Sequence, residues 1–289
     1  FDQIRGANSS LFSELTLGEN NNWTGQSFNS NGVTADAVYS YQTNGSGYTF
    51  VDWFWKANGT GVSNTQGSIT STVSASTTAG FSIVTYTGNG TSGATVGHGL
   101  GVAPSMYIVK TRSTTESWIT YHISIGATNY LALNLVQASS AATAAWNNTA
   151  PTSTVFSLGN AGSTNGSGNT FVAYCFAQVA GYSAFGSYTG NGSTDGPFIF
   201  TGFRPRFVMF KSTGIENWII HDTARDPYNV SGSTLIPNLL DSEYSNNQNM
   251  DILSNGVKMR STNDATNTSG VTYTYMAFAE NPFKYANAR

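Results

Sequence analysis

The chain repeats itself, and a repeat sets the unit of folding before any single segment is considered. Residues 80–90 read GFSIVTYTGNG and residues 181–192 read GYSAFGSYTGNG, which places the two YTGNG units 102 residues apart at Tyr86 and Tyr188. Each leads to a Gly-x-x-Pro turn, Gly101–Pro104 or Gly202–Pro205, and then to a strand-like run ending in Lys110 or Lys211. Trp118 and Trp218 follow at matched positions. A second anchor occurs three times, as NGSGYTFVDWFWKA from Asn44, NGSGNTFVAYCFAQ from Asn165 and NTSGVTYTYMAFAE from Asn267. The opening FDQIRG aligns with Tyr121–Gly126 and with His221–Asp226. Residues 1–57 therefore read as the C-terminal half of a repeat module whose front half is expected upstream. Residues 58–79 read as a Ser/Thr/Gly-rich linker with one strand over Ile69–Ala75. Residues 80–180 and 181–289 read as two complete modules. A half-module has open strand edges, so it is expected to pack on the next module, on another chain or on the absent half.

Within a module nearly every apolar segment is short and alternating, which is the period of a strand. The runs are Phe81–Tyr86, Met106–Lys110, Trp118–His122, Tyr130–Leu135, Val155–Leu158 and Thr170–Phe176. Asn-Gly pairs at Asn89, Asn165, Asn191 and Asn255 separate such runs, and YTGNG reads as a tight hairpin turn. Short helices are expected only around Ser9–Leu15 and Leu235–Glu243. Seven or eight strands per hundred residues imply an all-β chain of tandem β-sandwich or jelly-roll-like modules. In the triplicated strand, Val51, Trp53 and Trp55 share one face with their counterparts Val172, Tyr174, Phe176 and Thr274, Met276, Phe278. The opposite face of the second copy, Phe171, Ala173 and Cys175, is small and apolar, so both faces of that strand are expected to be covered. Cys175 is then a buried thiol.

Composition narrows the function. Charged residues make up only 9% of the chain, with 12 basic against 15 acidic, so there is no basic stripe for nucleic acid. No apolar run approaches the roughly 18 residues of a membrane-spanning helix. A single Cys rules out a disulfide framework. His98, His122 and His221 have no metal-site spacing. There is no Gly-x-Ser-x-Gly elbow and no phosphate loop. Asp222 with Asp226, or Asp241 with Glu243, are the available carboxylate pairs for glycoside chemistry. Asp beside Pro227 reads first as turn capping. No catalytic residue, metal site or cofactor is expected, and the protein is read as non-enzymatic.

Carbohydrate recognition needs aromatic platforms beside neutral donors and acceptors. The aromatics that lie outside the repeated strands, in Asn/Ser/Thr-rich segments, are Trp23, Trp146, Tyr39, Tyr41, Tyr228 and Tyr244. They are the candidate ligand-binding residues. Trp118 and Trp218, repeated in register, are expected in the core.

YTGNG, the Gly99–Met106 run GLGVAPSM, the NGSG-x-T anchor, the start FDQIRGA and the ending AFAENPFKYA together resemble a repeat family common in tailed phages of aquatic bacteria. The resemblance covers essentially the whole chain. It implies a virion component, tail-fibre-like, placed at the particle surface after assembly in the host cytoplasm, with adsorption to a host glycan as its role. Other virion proteins and further copies of the chain are the implied partners. A trimer is the arrangement common among fibres, although no coiled-coil heptads specify one here. Two other roles stand beside adsorption. One is a structural virion protein that decorates a capsid, forms a head fibre or joins the tail. The other is a polysaccharide depolymerase.

Overall fold

The computed structural model describes residues 1–22, 26–29, 32–35 and 44–282, with Asn246 and Asn247 as backbone only. The chain is all-β. Ahead of the first full module lie β1 (Ser27–Asn29), β2 (Gly32–Thr34), β3 (Val62–Asn64) and β4 (Ser71–Ser76). The first module carries β5 (Phe81–Thr87), β6 (Ala94–Gly97), β7 (Met106–Thr111), β8 (Ile119–His122), β9 (Asn129–Ala132), β10 (Ser140–Ala141), β11 (Val155–Leu158) and β12 (Thr170–Phe176). The second carries β13 (Ser183–Thr189), β14 (Phe198–Phe200), β15 (Pro205–Ser212), β16 (Trp218–Asp222), β17 (Ser231–Thr234), β18 (Tyr244–Leu253), β19 (Gly256–Met259) and β20 (Thr272–Ala279). Single helical turns sit at α1 (Thr143–Trp146), α2 (Gly162–Asn165) and α3 (Asp264–Asn267).

Each module is a sandwich of two antiparallel layers. In the first, an eight-stranded sheet ordered β10-β9-β8-β7-β12-β5-β4-β3 packs on the pair β11-β6. In the second, β13-β20-β15-β16 packs on β14-β19-β18-β17. Strand alternation sorts the side chains. Phe171, Ala173 and Cys175 of β12 enter the first module's core, and Tyr273, Tyr275 and Ala277 of β20 enter the second's.

Several expectations change. Residues 58–79 are not a linker, because β3 and β4 extend the large sheet by pairing with each other and with β5. No helix forms at Ser9–Leu15 or Leu235–Glu243, where Ser10 bridges Asn20 and Leu235 bridges Ile220 in extended pairings. YTGNG is not a hairpin turn, since β5 and β6 belong to different sheets. Instead it docks on the second anchor. Gly90 N–H donates to the Asn165 carbonyl and Asn89 N–H to Asn165 Oδ1, while Tyr86 OH reaches the Thr164 carbonyl at 2.6 Å. The second module repeats this clasp with Gly192, Asn191 and Tyr188 on Asn267 and Thr266. A Cβ at Gly88 would lie 2.5 Å from the Gly166 carbonyl oxygen, and one at Gly190 would lie 2.2 Å from that of Thr268. The two anchors therefore recur together because each is the other's binding surface.

The outer faces of the modules build a third core. Phe81, Ile83, Met106, Ile108, Val172 and Phe176 of the first module meet Phe185, Phe207, Met209, Met276 and Phe278 of the second. Ile4, Leu11, Trp53 and Trp55 of the half-module pack against the same cluster. Trp55, Phe176 and Phe278 are one repeat position in three copies. Their ring centroids lie 5.9, 5.4 and 6.0 Å apart pairwise. Three equivalent points at nearly equal mutual distances define a local threefold, which a row of modules cannot produce and a ring can.

The contacts between neighbours repeat as well. Trp118 Nε1–H donates to the Phe12 carbonyl at 2.9 Å, and Trp218 Nε1–H to the equivalent Ala132 carbonyl at 2.9 Å. Lys110 Nζ donates to the Thr16 carbonyl, and Lys211 Nζ to that of Val136. Glu116 N–H and Glu216 N–H donate to the same two carbonyls. Each back half thus docks head-to-tail on the next front half through one set of bonds.

Candidate functional site

The candidate aromatics among the described residues do not assemble into a platform. Trp23, Tyr39 and Tyr41 lie outside the described residues. Trp146 is fully buried on α1, edge-on to Tyr107 at 4.9 Å, and offers no face to a ligand. Its polar neighbours do not mark a surface: Asn147 and Asn148 hold left-handed backbone (φ 52° and 50°) that ends the helical turn. Tyr244 is half-buried against the second core. Tyr228 alone of the described candidates stands in solvent, at 84% exposure.

The carboxylates serve turns. Asp222 accepts from the N–H groups of Ala224 and Arg225 and pairs with Arg225 Nε at 2.7 Å. Asp226 accepts from the N–H groups of Gly232 and Ser233 and from the hydroxyls of Ser231 and Ser233. Burial pushes the Asp226 carboxyl up, but those donors outweigh it and hold it below its usual range. Asp2, Arg5 and Glu19 form the same arrangement in the half-module, with Tyr174 OH donating to Asp2 at 2.8 Å. Arg225 likewise reaches Glu243 at 2.7 Å. The first full module has His122, Ile125 and Ser139 at these positions, so the ion-pair set is a feature of two copies out of three.

The histidines are structural in geometry. His122 Nε2 lies 3.0 Å from the Tyr275 carbonyl, and its Nδ1 accepts from Ser124 N–H, which assigns the proton to Nε2. His98 uses the same scheme with Thr152 and Leu100. Among the described residues, no cluster of three His, Cys, Asp or Glu could hold a metal ion. Burial pushes the Cys175 thiol up to about 12, far from nucleophile chemistry at neutral pH.

What remains is a feature that was not anticipated as a site. A cavity of about 980 Å³ opens at the local threefold, with walls from Trp53, Trp55, Phe207, Met209, Ile108 and Met276. Its origin lies in residues 50–57. The equivalent strands β12 and β20 are each flanked on both sides, by β5 and β7 and by β13 and β15. Residues 50–57 join no ladder among the described residues. Phe50 and Phe54, whose counterparts fill module cores, are 42% and 67% exposed. The signal for this was present in the sequence as a third anchor without a matching YTGNG.

A family model described as a domain of unknown function (DUF7483) matches residues 1–282. The chain belongs to that family. No curated protein and no solved structure matches it.

Proposed function

We propose that the protein is a non-enzymatic virion component of a tailed phage, a tail fibre or receptor-binding module that adsorbs to host-surface polysaccharide. One observation carries the reading. In both full modules the repeated apolar faces turn inward onto module cores or the shared core, and the low-charge Asn, Ser, Thr and Tyr loops are left to meet the surroundings. Loops of that chemistry suit neutral glycans, which are bound weakly per site and tightly through many copies on one particle. Tyr228 is the described aromatic best placed for such a contact. The protein would assemble in the host cytoplasm and act outside the cell on the released particle. The test is binding of labelled protein, in its native assembly state, to cells of the host before and after their surface polysaccharide is stripped. Binding that disappears with the polysaccharide supports adsorption, and absent binding by folded protein contradicts it.

The open apolar cavity favours a second reading, a structural virion component that binds other virion proteins as a capsid decoration, head fibre or tail-associated part. A depolymerase has less support, because Asp222 and Asp226 are occupied by turn donors rather than aimed together at a cleft.

A further inference from the structure

We propose that the cavity at the local threefold is the docking site for one more copy of the repeat's own front half, in addition to those at 80–120 and 181–220. Two separate surfaces point to this occupant. The first is the unladdered stretch 50–57. In both full modules the front half lays one strand on each edge of the equivalent strand, and the backbone groups of residues 50–57 have no such partners among the described residues. An unpaired strand edge beside apolar side chains takes a strand by ladder formation.

The second surface belongs to the second full module. Phe12 and Ala132 accept the indole N–H of the following module, and Thr16 and Val136 accept its lysine amine. Trp218 backbone N–H donates to Asn238 Oδ1 as Trp118 backbone N–H donates to Asn134 Oδ1, which puts Ile236 and Leu240 at the positions equivalent to Ala132 and Val136. Neither carbonyl receives an indole or lysine bond among the described residues, and Leu240 is 82% exposed. Ser13 Oγ donates to the Pro237 carbonyl at 2.6 Å, so this surface and the half-module meet directly. A front half in the third position would bond to residues 50–57 on one side and to Ile236 and Leu240 on the other, completing the ring.

The walls fit such a segment better than a sugar. They are mostly aromatic and aliphatic, and of the polar residues among them Asp2 and Arg5 already satisfy one another with Glu19 and Tyr174. A second folded copy of the chain is a poor occupant, because both of its front halves are held in their own sheets.

The experiment joins a copy of residues 80–120 directly ahead of Phe1, in the register that aligns Phe1 with Tyr121, and compares backbone hydrogen exchange with the parent chain. The expected result is slowing at residues 50–57 by about 100-fold or more, with protection of the added segment. Exchange at the parent's rate, with the added segment cut by protease, overturns the proposal. A parent chain already protected at 50–57 and sedimenting as a dimer also overturns it, since a second copy then fills the cavity. Should the fusion be insoluble, the 80–120 segment is added separately to folded parent protein. No blue shift of Trp53 and Trp55 emission at about 100 μM segment then overturns the proposal as well.

Discussion

Phe176 and Phe278 occupy the same position in two repeats 102 residues apart, yet their rings touch, with centroids 6.0 Å apart at 61°. Repeat-equivalent residues in stacked sandwiches would be separated by a module's length. Here they meet because the outer sheet faces turn toward one axis. The modules thus share a core, and a mutation at the axis is expected to act on both of them.

Phe278 is 7% exposed and contacts Trp55, Phe176, Phe185 and Phe207. Phe278→Ala removes the ring and leaves a void that the sheets cannot close. The expected loss is about 3–5 kcal/mol in urea unfolding. Trp55→Ala is expected to cost less, since Trp55 is only half-buried and lines the open cavity.

Asn267 is fully buried and donates through Nδ2 to the carbonyls of Ser193 and Ser261 at 2.8 and 2.7 Å. Its Oδ1 accepts from Asn191 N–H at 2.8 Å. Asn267→Ala strands these groups and is expected to cost about 2–3 kcal/mol. Asn267→Asp is expected to cost more, because a carboxylate faces two carbonyl oxygens. Denaturant midpoints of the two variants check the order.

Acid should unfold the protein through its histidines. Burial lowers His122 to about 4, the Tyr275 carbonyl opposing. Burial lowers His221 to about 4 as well, with Arg225 adding to it and Asp226 and Asp222 opposing. The folded state then binds fewer protons than the unfolded state between pH 6.5 and 4, so stability falls as pH falls through that window. Each histidine contributes roughly 3 kcal/mol of this loss. Asp2, Glu19 and Asp226, held below their usual range, add a further loss at lower pH. Unfolding free energies between pH 8 and 4 check the slope, and His122→Gln should flatten it.

The Arg5 side chain is fully buried between those of Asp2 and Glu19, which are 3% and 6% exposed. Arg5→Ala leaves the buried Asp2 without its cation, while Glu19 keeps Arg112 at 2.8 Å, and a loss of about 3–5 kcal/mol is expected. Arg225→Ala should cost less, because Glu243 is 45% exposed and can turn to water. Thermal melts of the pair of variants compare them.

The local structure was legible where period and repeat agreed. Val155–Leu158 and Thr170–Phe176 form strands with the bounds that alternation gave. The two-sided apolar pattern of β12 correctly implied cover on both faces. It could not say that the second cover is another module, since alternation reports burial and not the identity of the neighbour. The Ser/Thr/Gly stretch at 58–79 reads as a linker with one strand; that strand forms as β4, and the composition hides its pairing with β3 and β5, which extends the sheet edge. Among the candidate aromatics, Trp146 failed because Asn147 and Asn148 signal a left-handed helix end rather than a surface.

Scanning calorimetry of the intact chain tests the shared core most directly. A common core predicts one cooperative transition, with the van't Hoff and calorimetric enthalpies equal, that Phe278→Ala moves as a whole. Two separate transitions, of which Phe278→Ala shifts only one, would contradict it.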